Sequence, residues 1–364
     1  MGLAPSPPRL VSLDAFRGLT IAAMILVNNP GSWSSIYWPL DHAKWHGWTP
    51  TDLIFPFFLF MVGMAMNFSR KGTFRQALRR ASILFGLGLF MAAYPFFNLL
   101  TVRIPGVLQR IALCYLAAWV VRRLLGPLGE AVAASVLVGA YWWLLTAVPV
   151  PGFGPPNLDP ETNLGAFLDR LLLSGHLWKQ SKTWDPEGLL STIPAVATTL
   201  LGSLAGHWIR APRGGKLKTV ALLGAGLALT VAGLAWGRVF PINKNLWTSS
   251  YVLLTAGLAA YLFGLVCYVA DVVGHQTWAR PAVVYGRNAI FVFVASGLLA
   301  KTLYLIKLPS AAGTPLSLQA HLHRFLFASW LPPHGASLAF AAANVGCWFL
   351  VLLWMDRRGL HLKV

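Results

Sequence analysis

Long apolar runs recur along almost the whole chain, and they limit what it can fold into. A helix needs about 20 consecutive apolar residues to cross the hydrocarbon core of a bilayer. The runs are continuous rather than alternating with a period of two, which favours helices over a barrel. We therefore predict an all-α fold, a polytopic membrane helix bundle of about ten transmembrane helices. The predicted spans are residues 11–29, 51–69, 81–98, 106–122, 130–148, 188–208, 217–236, 249–271, 283–306 and 336–355.

The composition agrees with a membrane location and argues against a nucleic-acid partner. Of the 364 residues, 56% are hydrophobic and only 11% are charged, and the mean hydropathy is +0.61. Soluble globular proteins carry about 25% charged residues. The net charge of +18 is concentrated in short loops between apolar runs, as expected for cytoplasmic loops of a membrane protein. We therefore predict an integral membrane protein whose partner is the lipid bilayer, with no nucleic-acid binding.

The cysteines and the short motifs exclude several kinds of site. Cys114, Cys267 and Cys347 all lie inside apolar runs, and no CxxC pair is present. Neither a disulfide framework nor a metal site is therefore predicted. The chain contains no P-loop, GxSxG or HExxH motif. Any chemistry must therefore come from scattered residues on different helices.

Lysine and arginine in the connecting loops predict the orientation. They concentrate in Arg70 to Arg80, in Arg210 to Lys218 and in the C-terminal tail, and such loops lie in the cytoplasm. The loops on the other side hold most of the acidic residues, and an even number of spans then places both termini in the cytoplasm. We expect a single transmembrane domain over residues 1–364, with residues 149–187 as an extracytoplasmic cap loop. Residues 307–335 include a segment that is predicted to form an amphipathic helix on the membrane surface.

Polar residues in the hairpin of the first two spans are the leading functional candidates. Asp14, Arg17, Asn28 and Asp52 lie in or beside hydrocarbon, where charge is costly and points to function. Arg17 and Asn28 fall on one helix face, roughly 16 Å apart. A structural pair of Asp14 with Arg17 near the cytoplasmic end is the alternative interpretation of those two residues.

The loop between these spans reads DHAKWHGW and contains His42 and His46. Histidine can act as a general base near neutral pH. Asp52 begins the next span and can orient an imidazole, and Asn28 ends the previous span on the same side. Surface-loop histidines without a catalytic role are the alternative, and the residues alone do not select one histidine.

Further polar residues interrupt later spans. Arg110 falls inside an apolar run and needs an acidic or phosphate partner. Other candidates stand at the ends of later spans. Each of them alone can be explained as a helix cap. Taken together, they indicate a polar cavity lined by helix ends. They are Asp185, Glu187, Asn243, Lys244, Asn245, Thr248, Ser249, Arg287 and Asn288.

Five motifs in order resemble one known family. They are LDAFRGLTIAAMILVN, HAKWHGWTPTDLIFPFFLFMVG, RIPGVLQRIALCYL, DPEGLLSTIPAVATTLLGSLAG and PINKNLWTSSYVL. Together they closely resemble the heparan-α-glucosaminide N-acetyltransferase catalytic region and its bacterial relatives. The resemblance covers nearly the whole chain. It implies a multi-span enzyme that uses cytoplasmic acetyl-CoA to acetylate the amino group of a glucosamine unit across the membrane, and a location in a bacterial inner membrane.

The resemblance also assigns roles to residues. The histidine of the family's HxxWxG motif falls on His42, and the asparagine that ends the first core span falls on Asn28. His46 stands where the animal enzyme has a different residue, so the resemblance assigns it no role. The chain lacks the large N-terminal extracytoplasmic domain of that enzyme, so the expected acceptor is a free amino sugar or a cell-envelope saccharide.

Two mechanisms and several ligand contacts follow as expectations. His42 acts either as a base oriented by Asp52, with Asn28 stabilising the oxyanion, or as an acetyl carrier. Acids of the cap are expected to recognise an ammonium group. A sugar or precursor transporter and an O-acetyltransferase of envelope glycans are the alternative functions, and a homodimer is the assembly left open. The candidate contacts for CoA are Arg17, Arg110, Arg287 and Asn288.

Overall fold

The structure is a computed structural model that describes residues 10–69, 72–309 and 314–362. It is 68% helical, in agreement with the predicted helical class. Two short strands, β1 (Lys307–Leu308) and β2 (Leu316–Ser317), form an antiparallel pair. The helices are α1 (Val11–Asn28), α2 (Ile54–Ala65), α3 (Phe74–Ala93), α4 (Val107–Ala147), α5 (Leu164–Leu173), α6 (Thr192–Arg210), α7 (Gly215–Trp236), α8 (Ser249–Cys267), α9 (Arg280–Arg287), α10 (Ala289–Leu305), α11 (Leu318–His323) and α12 (Pro333–Arg357).

Five helices in the described part of the chain are long and apolar enough to cross a membrane. They are α1, α4, α7, α12 and α8 with the π-helical turn that extends it to Val272. A sixth candidate is the bent pair formed by α9, with the turn before it, and α10, whose parts meet at 68°. The ten predicted runs all overlap helices, but α2 has only 12 residues. Length and hydropathy therefore support five or six spans directly.

Helix α4 contains a break that accounts for two of the predicted runs. Gly126 has a φ of 66° and a ψ of −173°, and Pro127 follows it. Proline has no backbone N–H and disfavours helical backbone in the residue before it, while glycine tolerates positive φ. The predicted runs 106–122 and 130–148 are therefore the two parts of one 41-residue helix interrupted at Gly126.

Internal contacts divide the described chain into two compact units. The first unit, unit 1, holds most of α2 and all of α3 to α8, and the second, unit 2, holds most of α1 and the elements from α9 onward. Unit 1 comprises residues 10–14, 45–47, 55–69 and 72–279. Unit 2 comprises residues 15–44, 48–54, 280–309 and 314–362.

Glycines allow α2 and α6 to approach closely within unit 1. A Cβ at Gly63 would lie 1.8 Å from the carbonyl oxygen of Thr199, and a Cβ at Gly202 would lie 1.9 Å from that of Phe60. Neither position has room for a side chain, because the obstructing atoms belong to the facing backbone. Small residues at helix interfaces are the usual way in which membrane helices pack closely.

The variant Gly202→Ala should be less stable than the wild type by about 1–3 kcal/mol, because the methyl group forces α2 and α6 apart. Gly139→Ala is a matched control, since a Cβ there meets no atom within 4 Å. Alanine favours helix over glycine, so this control should be neutral or stabilising by up to about 1 kcal/mol. Thermal unfolding of both variants in detergent checks the difference. Equal melting temperatures for the two variants would contradict the close approach.

The predicted cap loop is part of unit 1 and shares an apolar core with neighbouring elements. It contains α5, whose N-cap residue Asn163 accepts a hydrogen bond from Ala166 N at 2.9 Å. Side chains of the cap pack against the end of α4 and against the loop after α7. Such buried contacts hold a loop in one position. The buried members of this core are Tyr141, Leu145, Val150, Leu164, Leu190 and Phe240.

Asp169 ties α5 to the segment that leads into α6. Its two carboxylate oxygens accept hydrogen bonds from Asp185 N at 3.1 Å and from Leu189 N at 3.0 Å, and the residue is 2% exposed. A Cβ on Gly188 would lie 2.2 Å from this carboxylate. Burial raises the pKa of Asp169 from 3.8 to about 6, although the two N–H donors oppose the shift.

This shift predicts that the cap loses stability as the pH rises. Between the unfolded pKa of 3.8 and the folded pKa of about 6, the folded protein binds more protons than the unfolded chain. The contribution of Asp169 to stability is therefore fully present below pH 4 and declines by about 1 kcal/mol between pH 5 and pH 7. Asp169→Asn should remove this slope. Hydrogen exchange of residues 164–173 at pH 5 and pH 7 measures the change in local stability. The same change in stability in Asp169→Asn as in the wild type would contradict the assignment of this pH dependence to Asp169.

In unit 2, the chain after α1 is fixed by α11 and α12. Gly31 N donates to Ser337 O at 3.2 Å, and Ser32 N donates to Ser337 Oγ at 3.1 Å. Gln319 Nε2 donates to Pro30 O at 3.1 Å. These bonds hold the start of the histidine-bearing loop in place.

The predicted amphipathic segment of residues 307–335 also lies in unit 2. It forms α11 and a π-helical turn, Arg324–Ala328, and it exposes apolar side chains such as Phe325 at 81% and Trp330 at 67%. The helical part of the prediction agrees with the structure. Its position on a membrane surface stays a prediction.

Candidate active site

Asp52 lies in a 3-10 turn, Pro50–Leu53, that leads directly into α2. Thr49 is the N-cap residue of this turn, with extended backbone (φ −125°, ψ 168°), and proline follows it. Asp52 closes a capping box, since its Oδ2 accepts from Thr49 N at 3.0 Å. The sequence T-P-T-D therefore places this carboxylate by the ordinary rules of helix initiation.

The same carboxylate orients His42. Asp52 Oδ1 lies 2.7 Å from His42 Nδ1, and Asp52 Oδ2 also accepts from Ala43 N at 3.0 Å. The Asp52 side chain is 1% exposed, whereas the His42 side chain is 48% exposed. A buried carboxylate that already accepts backbone N–H groups is best matched by a ring N–H at Nδ1, which makes Nε2 the basic nitrogen of neutral His42.

Asp41 holds the backbone of the histidine. Its Oδ1 accepts from His42 N at 2.8 Å, and its carbonyl oxygen accepts from Thr49 Oγ1 at 2.6 Å. The backbone and the ring of His42 are therefore both fixed by acids of the same loop. This arrangement suits a general base or a nucleophile, because both need a histidine held in one orientation.

His46 has a different environment from His42, and it belongs to unit 1. Its Nδ1 lies 3.4 Å from Asn243 Nδ2, which is the donor of this pair. The next residue, Gly47, donates from its backbone N to Ile242 O at 2.8 Å. His46 therefore has an amide partner, whereas the partner of His42 is a buried carboxylate. The structure therefore distinguishes two histidines that the residue pattern left equivalent.

Asn28 is the last residue of α1 and is exposed. Among residues 10–69, 72–309 and 314–362, no hydrogen bond joins its side chain to His42 or Asp52. The neighbouring Asn29 is buried, and its Nδ2 donates to Ile25 O at 2.7 Å. The structure thus brings His42 and Asp52 together and leaves the role predicted for Asn28 untested.

Two of the predicted CoA contacts lie at the junction of α9 and α10. Arg287 Nη1 donates to Asp356 Oδ1 at 2.7 Å, and its side chain is 32% exposed. Asn288 is fully buried, and its amide binds the chain after α12 through Leu360 O at 3.1 Å and Leu362 N at 2.9 Å. Both residues therefore have structural partners in unit 2.

The other two predicted contacts differ in accessibility. Arg17 lies on α1 and is partly buried. Arg110 lies on α4 and is only 1% exposed, and its guanidinium stacks over the Trp247 ring at 5.1 Å. Its Nη2 donates to Gly188 O at 3.0 Å and also to the Ser191 hydroxyl. Among the described residues, the hydrogen-bond partners of this Nη2 are therefore a carbonyl and a hydroxyl rather than the expected acid.

A buried ion network in unit 1 was missed by the sequence reasoning, which left Asp185 and Glu187 as helix caps or as the lining of a polar cavity and did not pair them with Arg103. Arg103 Nε and Nη2 bind the two oxygens of Asp185 at 2.8 and 2.5 Å, and Nη2 also binds Glu187. Burial raises the pKa of Asp185, against the effect of Arg103. Thr248 is the N-cap residue of α8, as the pattern allowed. Asp185, in contrast, is not the N-cap residue of α6.

In the part of the chain that the structure describes, no three His, Cys, Asp or Glu side chains are placed to hold a metal ion.

Comparison with known proteins shows the family. The model of the heparan-alpha-glucosaminide N-acetyltransferase catalytic family matches residues 9–234, which is more than half of the chain. The chain belongs to this family. The match includes His42, Asp52 and Arg110 and four of the five motifs, and it confirms the resemblance to the family.

Two curated relatives agree with the family match. Human heparan-alpha-glucosaminide N-acetyltransferase is 30% identical over 80% of this chain and 53% of its own length. The mouse protein of the same name is 28% identical over 81% of this chain and 54% of its own length. The chain therefore spans about half the length of these relatives. A weaker similarity, 25% identity over 49% of this chain and 39% of the other, joins it to Sulfite exporter TauE/SafE family protein 1 of Arabidopsis thaliana.

Proposed function

We propose that this protein is a transmembrane acetyltransferase that moves an acetyl group from cytoplasmic acetyl-CoA to the amino group of an extracytoplasmic glucosamine-type sugar. Membership of the N-acetyltransferase family supports the reaction class. The observation that carries the proposal is the pair of a half-exposed His42 with a buried Asp52, 2.7 Å apart. A histidine oriented in this way can serve as the general base in amine acetylation.

In direct transfer, His42 acts as the base. Its Nε2 accepts a proton from the sugar amine as the nitrogen attacks the thioester carbonyl carbon. The C–N bond forms, the C–S bond breaks, and the CoA thiolate leaves and takes up a proton. Asp52 holds the ring and stabilises the positive charge that develops on it. Asn28 is the proposed donor to the oxyanion.

In two-step transfer, His42 acts as the acetyl carrier. Its Nε2 attacks the thioester carbon, the C–S bond breaks, and the CoA thiolate leaves and takes up a proton. The sugar amine then attacks the acetyl carbon, the bond from that carbon to Nε2 breaks, and the freed Nε2 takes the proton that the amine loses. The same orientation by Asp52 serves both routes. Exchange of labelled CoA into acetyl-CoA without any acceptor separates them, since only the carrier route supports it.

We further propose that Arg17 and Arg287 make the first contacts with the phosphates of CoA. Both side chains are partly exposed, and arginine suits phosphate binding. Arg110 and Asn288 stay predictions as CoA contacts, since they are only 1% and 0% exposed.

A topology of ten spans with both termini in the cytoplasm is part of the proposal. Helix α4, at about 1.5 Å per residue, is about twice as long as a bilayer core is thick, and its break at Gly126 suits two spans. The positions of residues 1–9, 70–71 and 363–364, on which the predicted orientation partly rests, lie outside the described residues. A bacterial inner membrane is the proposed location, and a homodimer stays a prediction.

One assay tests the activity. Purified protein is incubated with acetyl-CoA and glucosamine, and free thiol is followed over time. N-acetylglucosamine as the acceptor separates the alternatives, because its amine is already blocked and only O-acetylation can then release thiol. No thiol release with any amino sugar would overturn the proposal.

A transporter for sugars or envelope precursors is the second candidate. The similarity to the plant sulfite exporter family protein over about half of the chain favours it. Saturable sugar uptake into vesicles, without thiol release in the same preparation, would support the transporter instead.

A further inference from the structure

Two threonine hydroxyls hold the stretch of chain that leads into His42. Thr51 Oγ1 donates to Pro39 O at 3.0 Å. Thr49 Oγ1 donates to Asp41 O at 2.6 Å. Both threonines are 3% exposed, and all of these residues belong to unit 2. The turn at the start of α2, which supplies the carboxylate that binds the histidine ring, therefore also holds the main chain just before that histidine.

The two bonds together fix a direction as well as a position. A bond to Asp41 O alone would leave the segment free to pivot about the Thr49 hydroxyl. The bond to Pro39 O, two residues earlier, removes that rotation. A catalytic group has to be held to within about 0.5 Å and 10–20° of its productive geometry by the groups around it. The direction in which the chain enters His42 is therefore set by the pair of threonines.

The hydroxyl of Thr51 is not needed to form the turn from which it comes. The capping box is made by Thr49 and Asp52, and Ile54 N donates to the carbonyl oxygen of Thr51 rather than to its side chain. Pro39 is exposed, so water can take the place of the lost donor at little cost in stability. The contribution of this hydroxyl is therefore to the position of one segment.

We infer that Thr51 is a positioning residue for His42. Its hydroxyl fixes the direction in which the chain enters the histidine, and thereby the contact between the ring Nδ1 and the Asp52 carboxylate. It acts through the histidine and has no role of its own on the reacting groups. The inference rests on the proposed function and deepens it, because it adds a residue that controls the geometry of the catalytic pair.

Kinetics of the full chain in detergent give the first test. Thr51→Val removes the hydroxyl and keeps the branched shape of the side chain. It should lower kcat for thiol release from acetyl-CoA with glucosamine by about tenfold and leave KM unchanged, because a small misplacement of a catalytic group affects mainly the transition state. Thr51→Ser keeps the hydroxyl and should return kcat to within about threefold of the wild-type value.

Two controls separate this role from a general loss of a buried hydroxyl. Thr20→Val removes the hydroxyl of another buried threonine of unit 2, which donates to Phe16 O at 2.8 Å within α1, and its kcat should equal that of the wild type. Adding Thr51→Val to His42→Ala should lower the residual rate no further, because a residue that acts only through the histidine has no effect once the histidine is gone.

Nitrogen NMR of isotope-labelled histidine rings gives a readout that needs no acetyl transfer. The spectra report which ring nitrogen carries the proton, and loss of signals in His42→Ala identifies those of His42. The wild type should show the form with the proton on Nδ1. Thr51→Val should show exchange between the two tautomers, and Thr51→Ser should return to the wild-type spectrum.

Thermal unfolding identifies variants that fail to fold, and Thr51→Ala carries the comparison if Thr51→Val is one of them. Wild-type ring signals or a wild-type kcat in the folded variant would overturn the inference. An equal loss of turnover in Thr20→Val would also overturn it. The expected change in the ring signals, in a wild-type protein that releases no thiol with any amino sugar, would instead overturn the proposed acetyl transfer and leave the positioning of His42 intact.

Discussion

Replacement of His42 by alanine should lower the rate of acetyl transfer by about 10²- to 10⁴-fold, the usual contribution of a general base. The loss is expected in kcat rather than in KM, because the half-exposed ring acts on the reacting amine and contributes little to ground-state binding. Thiol release from acetyl-CoA with glucosamine as acceptor measures both constants. If His42 carries the acetyl group, the variant should also lose exchange of labelled CoA into acetyl-CoA.

His46→Ala is the matched control for this experiment. It removes an imidazole from the same loop, but its partner is the amide of Asn243. We expect its kcat to stay within a few fold of the wild-type value. Wild-type turnover in His42→Ala, or an equal loss in the two variants, would refute the role assigned to His42.

Asp52→Asn should lower kcat by about 10²- to 10⁴-fold, which is about the same loss as expected for His42→Ala. Its carbonyl oxygen can still accept from Ala43 N and Thr49 N, so the turn before α2 is expected to form. Its amide group would then face His42 Nδ1 and donate to it. The proton would move to Nε2, and the nitrogen that faces the substrate would no longer be basic.

Asp41→Asn tests whether this effect is specific. Asp41 is an exposed acid in the same loop, and its side chain binds the backbone of His42 rather than the ring. A neutral amide can still accept that backbone hydrogen bond, so we expect a change of less than about tenfold. A similar loss in Asp41→Asn and Asp52→Asn would indicate that loop charge, rather than ring orientation, controls the rate.

The helices were largely predictable because apolar runs are a local signal. The break in α4 is an example, since Gly126 and Pro127 interrupt the hydropathy as well as the backbone. Helix initiation at Thr49 and Asp52 is also local, and the sequence already suggested that Asp52 could orient a histidine. The residue pattern alone did not select one of the two histidines. The structure distinguishes them by their partners, which are the Asp52 carboxylate for His42 and the Asn243 amide for His46.

The ion network was not predictable, because its pairs are distant in the chain. Arg103 and Asp185 are separated by 82 residues, and only the folded cap brings them together. In the sequence each looked like an ordinary residue at the end of a span. The partners of Arg110 were missed for a related reason, since a backbone carbonyl that satisfies a buried guanidinium has no signature in residue types.

The capping box of α2 links folding to chemistry in a single side chain. Asp52 satisfies Thr49 N at the start of the helix with one oxygen and orients His42 with the other. Fraying of that first turn would therefore rotate the imidazole while the rest of the helix stayed folded. Mild destabilisation at Thr49 or Pro50 should thus appear as lost turnover well before it appears as unfolding, so the start of α2 acts as a sensitive reporter of local order.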